Sequence, residues 1–260
     1  MNRISFHLVK TYLDCIDDTG NCLIVYVAKL KFKFIKISYS GIIVSDHNNK
    51  TYERTSFKKN ILPVIDHNIG FKDHALNITG EWQRIDDSFQ FPLYSNDSRL
   101  VLWNCHHPKA IANIEFGWKD YHGFGYAETL TLTIKPWELP LKELRWGRFL
   151  SENYTIVWIH WKGQNPLNRI FLNGNEYNDA IFEDDLISFN SGKYKLEFLK
   201  ISGIRKGKLS NIFSKVPWLK ALFPFTILQT QEFKYKAYSS FKEQSNIVSF
   251  GWCLYELVVW

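Results

Sequence analysis

The sequence predicts an all-β protein, and three observations carry that prediction. Apolar and polar residues alternate with a period of two along several stretches. Short turn-forming clusters separate those stretches. No apolar stripe of helical period and ordinary length precedes residue 205. Composition agrees, because 20 Phe, 13 Tyr and 10 Trp stand against a single Met, and aromatic and β-branched side chains suit a pleated surface better than a helix. With 45% hydrophobic residues, the chain can fill a core and does not read as disordered.

Taken in order, the first element is a hairpin. Cys15 and Cys22 flank Asp17-Asp18-Thr19-Gly20-Asn21, and Gly at the third loop position favours a three-residue loop with a bulge. Asp17 then pairs with Asn21, and Cys22 faces Ile16 rather than Cys15. The two sulfurs fall on opposite faces, so no disulfide is expected. Leu30, Phe32 and Phe34 alternate with lysines; so do Phe233, Tyr235 and Ala237, while Tyr194, Leu196 and Phe198 alternate with Lys195 and Glu197. Each reads as a strand with one wet face. Residues 155–161 and 248–260 are apolar on both faces and read as strands buried on both sides. Turns are expected at Asp46-His47-Asn48-Asn49, Asn173-Gly174-Asn175 and Ser191-Gly192-Lys193. With 260 residues, and two prolines interrupting the strand pattern near 136–145, the chain divides into halves 1–140 and 141–260.

Residues 205–225 break the pattern. Basic and bulky apolar residues mix there, and Pro217 and Pro224 cut the segment into short pieces. It reads either as a surface loop with a helical turn covering a barrel end, or as a lid or peripheral membrane contact.

Several function classes find no support. The net charge of +6 is mild, and no helix-turn-helix, zinc-finger or RNP pattern accompanies it, so nucleic acid is not an expected partner. There is no phosphate-binding glycine loop and no Gly-x-Ser-x-Gly elbow. Cys105-His106-His107-Pro108 lacks a second ligand pair at metal spacing, so no metal is expected. The opening residues 1–5 reach charge too early for a signal peptide, and no apolar run is long enough to span a bilayer. A cytoplasmic location with reduced thiols follows.

The chemistry concentrates in residues 123–134. Tyr126, Glu128, Leu130, Leu132 and Ile134 share one strand face, and Ala127, Thr129, Thr131 and Thr133 the other. A carboxylate on an apolar face must be paired or protonated. Glu128 is therefore either a structural partner of Arg145 or Arg148, or a general acid raised in pKa by apolar walls. His160 shares a face with Ile156 and Trp158, as a core histidine or a cavity-facing base. Glu256 is a second carboxylate on an apolar face, beside Leu254 and Val258.

The combination Gly125-Tyr126-x-Glu128, Trp137, Trp146-Gly147-Arg148-Phe149 and Val157-Trp158-Ile159-His160-Trp161 resembles the hydroxyneurosporene synthase, or carotenoid hydratase-like, superfamily and the related plant tocopherol cyclases. The resemblance is clearest over 123–161; it touches Tyr12–Asp14 and the terminal Tyr255-Glu256. It implies two lipocalin-like β-barrel halves packed together, with few short helices. It also implies a cofactor-free hydratase, cyclase or isomerase acting by acid chemistry on a hydrophobic isoprenoid or polyketide-like substrate in a barrel cavity. Carried over, Glu128, Tyr126 and Arg148 would be catalytic, and Trp146, Trp158, His160, Trp137 and Glu256 would line the substrate. The same fold also suits a non-catalytic carrier of a lipophilic molecule, or a scaffold with a filled core. The sequence leaves the oligomeric state open.

Overall fold

The computed structural model describes residues 6–96 and 99–260; residues 1–5, on which the targeting expectation rests, lie outside the described residues. The chain forms two compact units, Met1–Glu138 and Leu139–Trp260. Each is built on a nine-stranded antiparallel sheet curled into a half-barrel. In the first unit the strands are β1 (Phe6–Ile16), β2 (Cys22–Phe32), β3 (Ile35–Ser45), β4 (Thr51–Ser56), β5 (Asn68–Asp73), β6 (Ile78–Arg84), β7 (Phe89–Asn96), β8 (Arg99–Phe116) and β9 (Lys119–Leu132). They lie in the order β4-β3-β2-β1-β9-β8-β6-β5, with β7 also on β8.

The second unit repeats this plan for its first four and last two strands. It holds β10 (Leu141–Leu150), β11 (Thr155–Gly163), β12 (Leu167–Leu172), β13 (Asn175–Tyr177), β14 (Ile181–Phe182), β15 (Leu186–Phe189), β16 (Tyr194–Lys208), β17 (Gln231–Glu243) and β18 (Asn246–Val259). Their order is β13-β12-β11-β10-β18-β17-β16-β15-β14. In both units the first strand is hydrogen-bonded to the last. Among the described residues, helix is limited to 3-10 turns at Pro136–Glu138, Leu209–Lys215 and Pro217–Leu222 and to α1 (Phe225–Gln229). The fold is all-β, as the alternation predicts.

Each unit has its own core. The first packs Leu13, Cys15, Val25, Val27, Trp82 and Ala127; the second packs Phe149, Ile156, Trp158, Phe189, Leu196 and Phe241. Gly147 shows why a small residue stands between two bulky ones. A Cβ there would lie 2.4 Å from Trp158 Cζ2 and 2.5 Å from Tyr255 Cβ, so the Trp158 ring occupies the space of a side chain.

The first hairpin follows expectation. Ile16 faces Cys22, Cys15 faces Leu23, and Gly20 takes a φ of 86° at the turn. All four cysteines are free and buried. Three strand expectations need correction. Phe34 is 88% exposed, because β2 ends at Phe32 and Lys33 turns the chain with a φ of 54°. The lysine face of β17 is not wet: Lys234 and Lys236 are each 2% exposed. Alternation locates the charged face, but Glu232 and Glu256, 2.8 and 2.6 Å from the Lys234 ammonium, make its burial tolerable. Finally, β18 is buried at Cys253 and Leu254 only, while Val248 and Phe250 reach solvent.

Candidate functional site

The site is assembled where β1 and β9 run side by side. Their register is unbroken from Leu8↔Leu132 to Ile16↔Phe124, with Tyr12 opposite Glu128 and Asp14 opposite Tyr126. The strands can close this tightly because Gly125 has no side chain: a Cβ would meet the Asp14 carbonyl oxygen at 2.6 Å and Trp82 Cδ1 at 2.8 Å. Trp82 fills that space and donates its indole N–H to the same carbonyl, at 2.6 Å.

Each strand thus offers a tyrosine and an acid two residues apart, in opposite directions. Tyr126 donates its hydroxyl to Glu128 Oε2 at 2.7 Å, and Tyr12 donates to Asp14 Oδ2 at 2.9 Å. The rings of Tyr12 and Tyr126 meet edge to face, with centroids 6.0 Å apart. Trp103 on β8 gives its indole N–H to Glu128 Oε2 at 2.5 Å. Cys105 sits opposite Glu128 in the β8–β9 ladder, just before a bulge that spans His107. Asp14 and Tyr126 are fully buried.

Burial, with the Cys105 and Glu128 neighbours, holds the Tyr126 phenol well above its usual range. Burial likewise lifts the Cys105 thiol well above its ordinary value. At neutral pH both keep their protons: Tyr126 acts as a donor, and Cys105 is not a ready nucleophile.

Tyr126 and Glu128 share a face, as alternation requires, but that face is not the barrel interior. Ala127, on the opposite face, belongs to the first core with Leu13, Cys15 and Trp82. Thr129 lies on this inner face too, and its hydroxyl hydrogen-bonds Thr11 at 3.2 Å. The interior is filled by the large Trp82, so the small residues Gly125, Ala127 and Ala112 turn inward. The carboxylate takes the other side.

Of the remaining expected site residues, Trp137 lies on the first unit and the others on the second. Trp158 and His160 belong to the second unit and Glu128 to the first. Trp158 is a core residue, stacked on Phe198 at 6.2 Å. His160 stacks on Phe182 at 4.6 Å; burial, then Lys162 and Arg145, lower its pKa. Arg148 is fully buried and donates to the Trp252 carbonyl at 3.3 Å. Arg145 is engaged by Glu143 at 2.9 Å and Asp184 at 3.6 Å. Trp137 lies edge-on to Phe6 and Phe32, at 6.0 and 5.8 Å. Trp146 is buried opposite Glu256. At Cys105-His106-His107 the bulge leaves His106 Nε2 and His107 Nδ1 buried without a hydrogen-bond partner, and burial lowers His106 to about 4.

Glu256 repays comparison with Glu128. Ile16 and Leu150 end the first strands of the two units, facing Phe124 and Trp252. Counting back from those ends, Tyr12↔Glu128 corresponds to Trp146↔Glu256. A Cβ on Gly123 would meet the Ile16 oxygen at 2.1 Å, and one on Gly251 the Leu150 oxygen at 2.3 Å. Gly123-Phe124-x-x-x-Glu128 and Gly251-Trp252-x-x-x-Glu256 are therefore the same structural segment, once per unit. Glu256 Oε2 lies 2.6 Å from the Lys234 ammonium, and Glu128 Oε2 receives a phenol and an indole.

No protein-family model matches the chain, and no curated protein matches it by sequence. Solved structures do. CghA, in a structure with Sch210972, covers 98% of this chain and 89% of its own at a TM-score of 0.63 and 9% identity. The chain shares with this structure a fold of two lipocalin-like β halves. Kievitone hydratase from Nectria haematococca matches 97% of this chain and 88% of its own, with a TM-score of 0.56 and 10% identity. An AttH candidate from Nitrosomonas europaea covers 97% and 92%, with a TM-score of 0.54 and 8% identity. The fold expected from the sequence resemblance is the fold found.

Trp103, Cys105, Tyr12 and Asp14 are the site neighbours that residue-level reading passed over. The Tyr-x-acid spacing of Tyr12-x-Asp14 is the signal that would have found the last two. Trp103 and Cys105 come to Glu128 only through the β8–β9 register, which the sequence does not display.

Proposed function

We propose that the protein is a hydratase- or cyclase-type enzyme acting on a hydrophobic substrate, with Glu128 as the acid and Tyr126 as its partner. The observation that carries this reading is the Tyr126–Glu128–Trp103 arrangement. One carboxylate oxygen is fixed by two neutral donors, beside a second Tyr–acid pair at Tyr12 and Asp14. The fold shared with kievitone hydratase and CghA supports the same class.

In this reading the acid form of Glu128 gives its proton to an alkene or enol carbon of the substrate. The cation so formed is captured by water, giving a hydrate, or by an internal nucleophile, giving a ring. The proton released at capture returns to the Glu128 carboxylate. Tyr126 keeps its own proton and steadies Oε2 as charge develops on the carboxylate. Every step conserves protons and needs no redox partner.

The test is to identify by native mass spectrometry the small molecule that co-purifies with the protein, and to follow its conversion. Gain of one water marks hydration, and rearrangement at constant mass marks cyclisation or isomerisation. A bound lipophilic molecule that the protein leaves unchanged would replace this reading with that of a carrier.

A further inference from the structure

The segment between β16 and β17 has no part in the chemistry above, and it is built to hold aromatic tips in the open. It leaves β16 through Arg205, Lys206 and Lys208 and continues with Lys215 and Lys220, without one Asp or Glu from 205 to 225. It is not a loose loop. Leu209 N–H bonds to the Thr230 carbonyl at 2.9 Å, closing the base of the excursion. Phe213 stacks on Phe223 at 5.0 Å, and Leu219 and Ile227 are 2% and 3% exposed, anchoring its two halves.

Against those anchors, Trp218 is 64% and Phe225 74% exposed. Each directly follows a proline, Pro217 and Pro224, which fixes the backbone just before the exposed ring. Residues one or two apart thus part ways: Leu219 turns in while Trp218 turns out, and Ile227 turns in while Phe225 stays out. Arg205 is neutralised by Glu232 at 2.8 Å, but large rings held outward by a constrained backbone, in a stretch whose other charges are lysines, match the headgroup layer of an anionic bilayer. Tryptophan favours that layer, and each nearby lysine adds attraction to anionic lipid. A protein partner would leave the uniform sign of charge unexplained.

We infer that residues 205–225 form a peripheral docking surface for anionic membranes, in which Trp218 and Phe225 insert and Lys206, Lys208 and Lys220 meet the headgroups. This goes beyond the proposed reaction and does not depend on it.

The experiment is sedimentation of the full chain with vesicles of phosphatidylcholine alone, and with about one quarter phosphatidylserine. The chain is expected to sediment with the anionic vesicles, and less so in high salt. The Trp218→Ser/Phe225→Ser variant is expected to melt like the parent and to bind about tenfold less or weaker. Lys220→Glu should weaken binding to the anionic vesicles alone. Absence of sedimentation with anionic vesicles, or equal binding by the double variant, would overturn the inference. So would self-association in vesicle-free buffer that the double variant abolishes, since that would assign the surface to a second copy.

Discussion

Tyr126 and Trp103 converge on one oxygen of Glu128, and the consequences of removing each donor differ. Tyr126→Phe keeps the ring and loses the hydroxyl, so Glu128 retains the indole. Stability should fall by roughly 1–2 kcal/mol, read from urea unfolding, while turnover falls further because the carboxylate is no longer steadied. Tyr12→Phe should cost about 1–3 kcal/mol, since Asp14 is fully buried and loses a donor there. His106 supplies a separate pH dependence. Burial brings its pKa from 6.5 down to about 4. Between those values the unfolded chain binds the proton and the folded chain does not. Its contribution is therefore intact above the unfolded value and is lost as pH falls toward the folded one. From about pH 8 to about pH 5 this loss should be about 2 kcal/mol. Unfolding at the two pH values should show His106→Gln relieved of that part of the decline.

At the scale of strands, alternation sorted the side chains of β9 correctly and misjudged which face was concave. Both faces of β9 bury residues, so apolar content does not distinguish them; what decides is volume. Trp82 already occupies the inside, leaving room only for Gly125 and Ala127. The sequence shows this pairing only as a glycine and an alanine beside a tyrosine. Lys234 of β17 misleads in the same way, because its partners Glu256 and Glu232 lie on a neighbouring strand and at the strand's own start. Two variants probe these contacts. Gly147→Ala puts a methyl group where the Trp158 ring lies and should destabilise the second unit by about 1–3 kcal/mol. Glu256→Leu leaves the Lys234 ammonium buried with only Glu232 of the two carboxylates seen beside it. It should cost about 3 kcal/mol in urea unfolding.

Across the whole chain, the two units share the order of their first four and last two strands, and a Gly-aromatic-x-x-x-Glu segment that the sequence does not announce. Strand register, not residue identity, carries the repeat: Tyr12 corresponds to Trp146, and Asp14 to Arg148. The all-β class and the first hairpin were legible because they rest on local periodicity and turn chemistry. The partners of Glu128 were not, because Trp103 and Cys105 reach it through long-range pairing. All four cysteines are buried and free, so a thiol reagent should label none rapidly in the native protein and all four in denaturant.

The central claim is that Glu128 is a proton donor rather than a structural carboxylate, and Glu128→Gln tests it most directly. Glutamine keeps an oxygen for Tyr126 and Trp103 but has no carboxyl proton to give. Melting, binding of the co-purifying molecule and its turnover are measured together on that variant. The account predicts a melting temperature near the parent's, retained binding, and turnover lowered about a hundredfold or more. A variant that turns over normally, or one that melts far lower and binds no ligand, would contradict it.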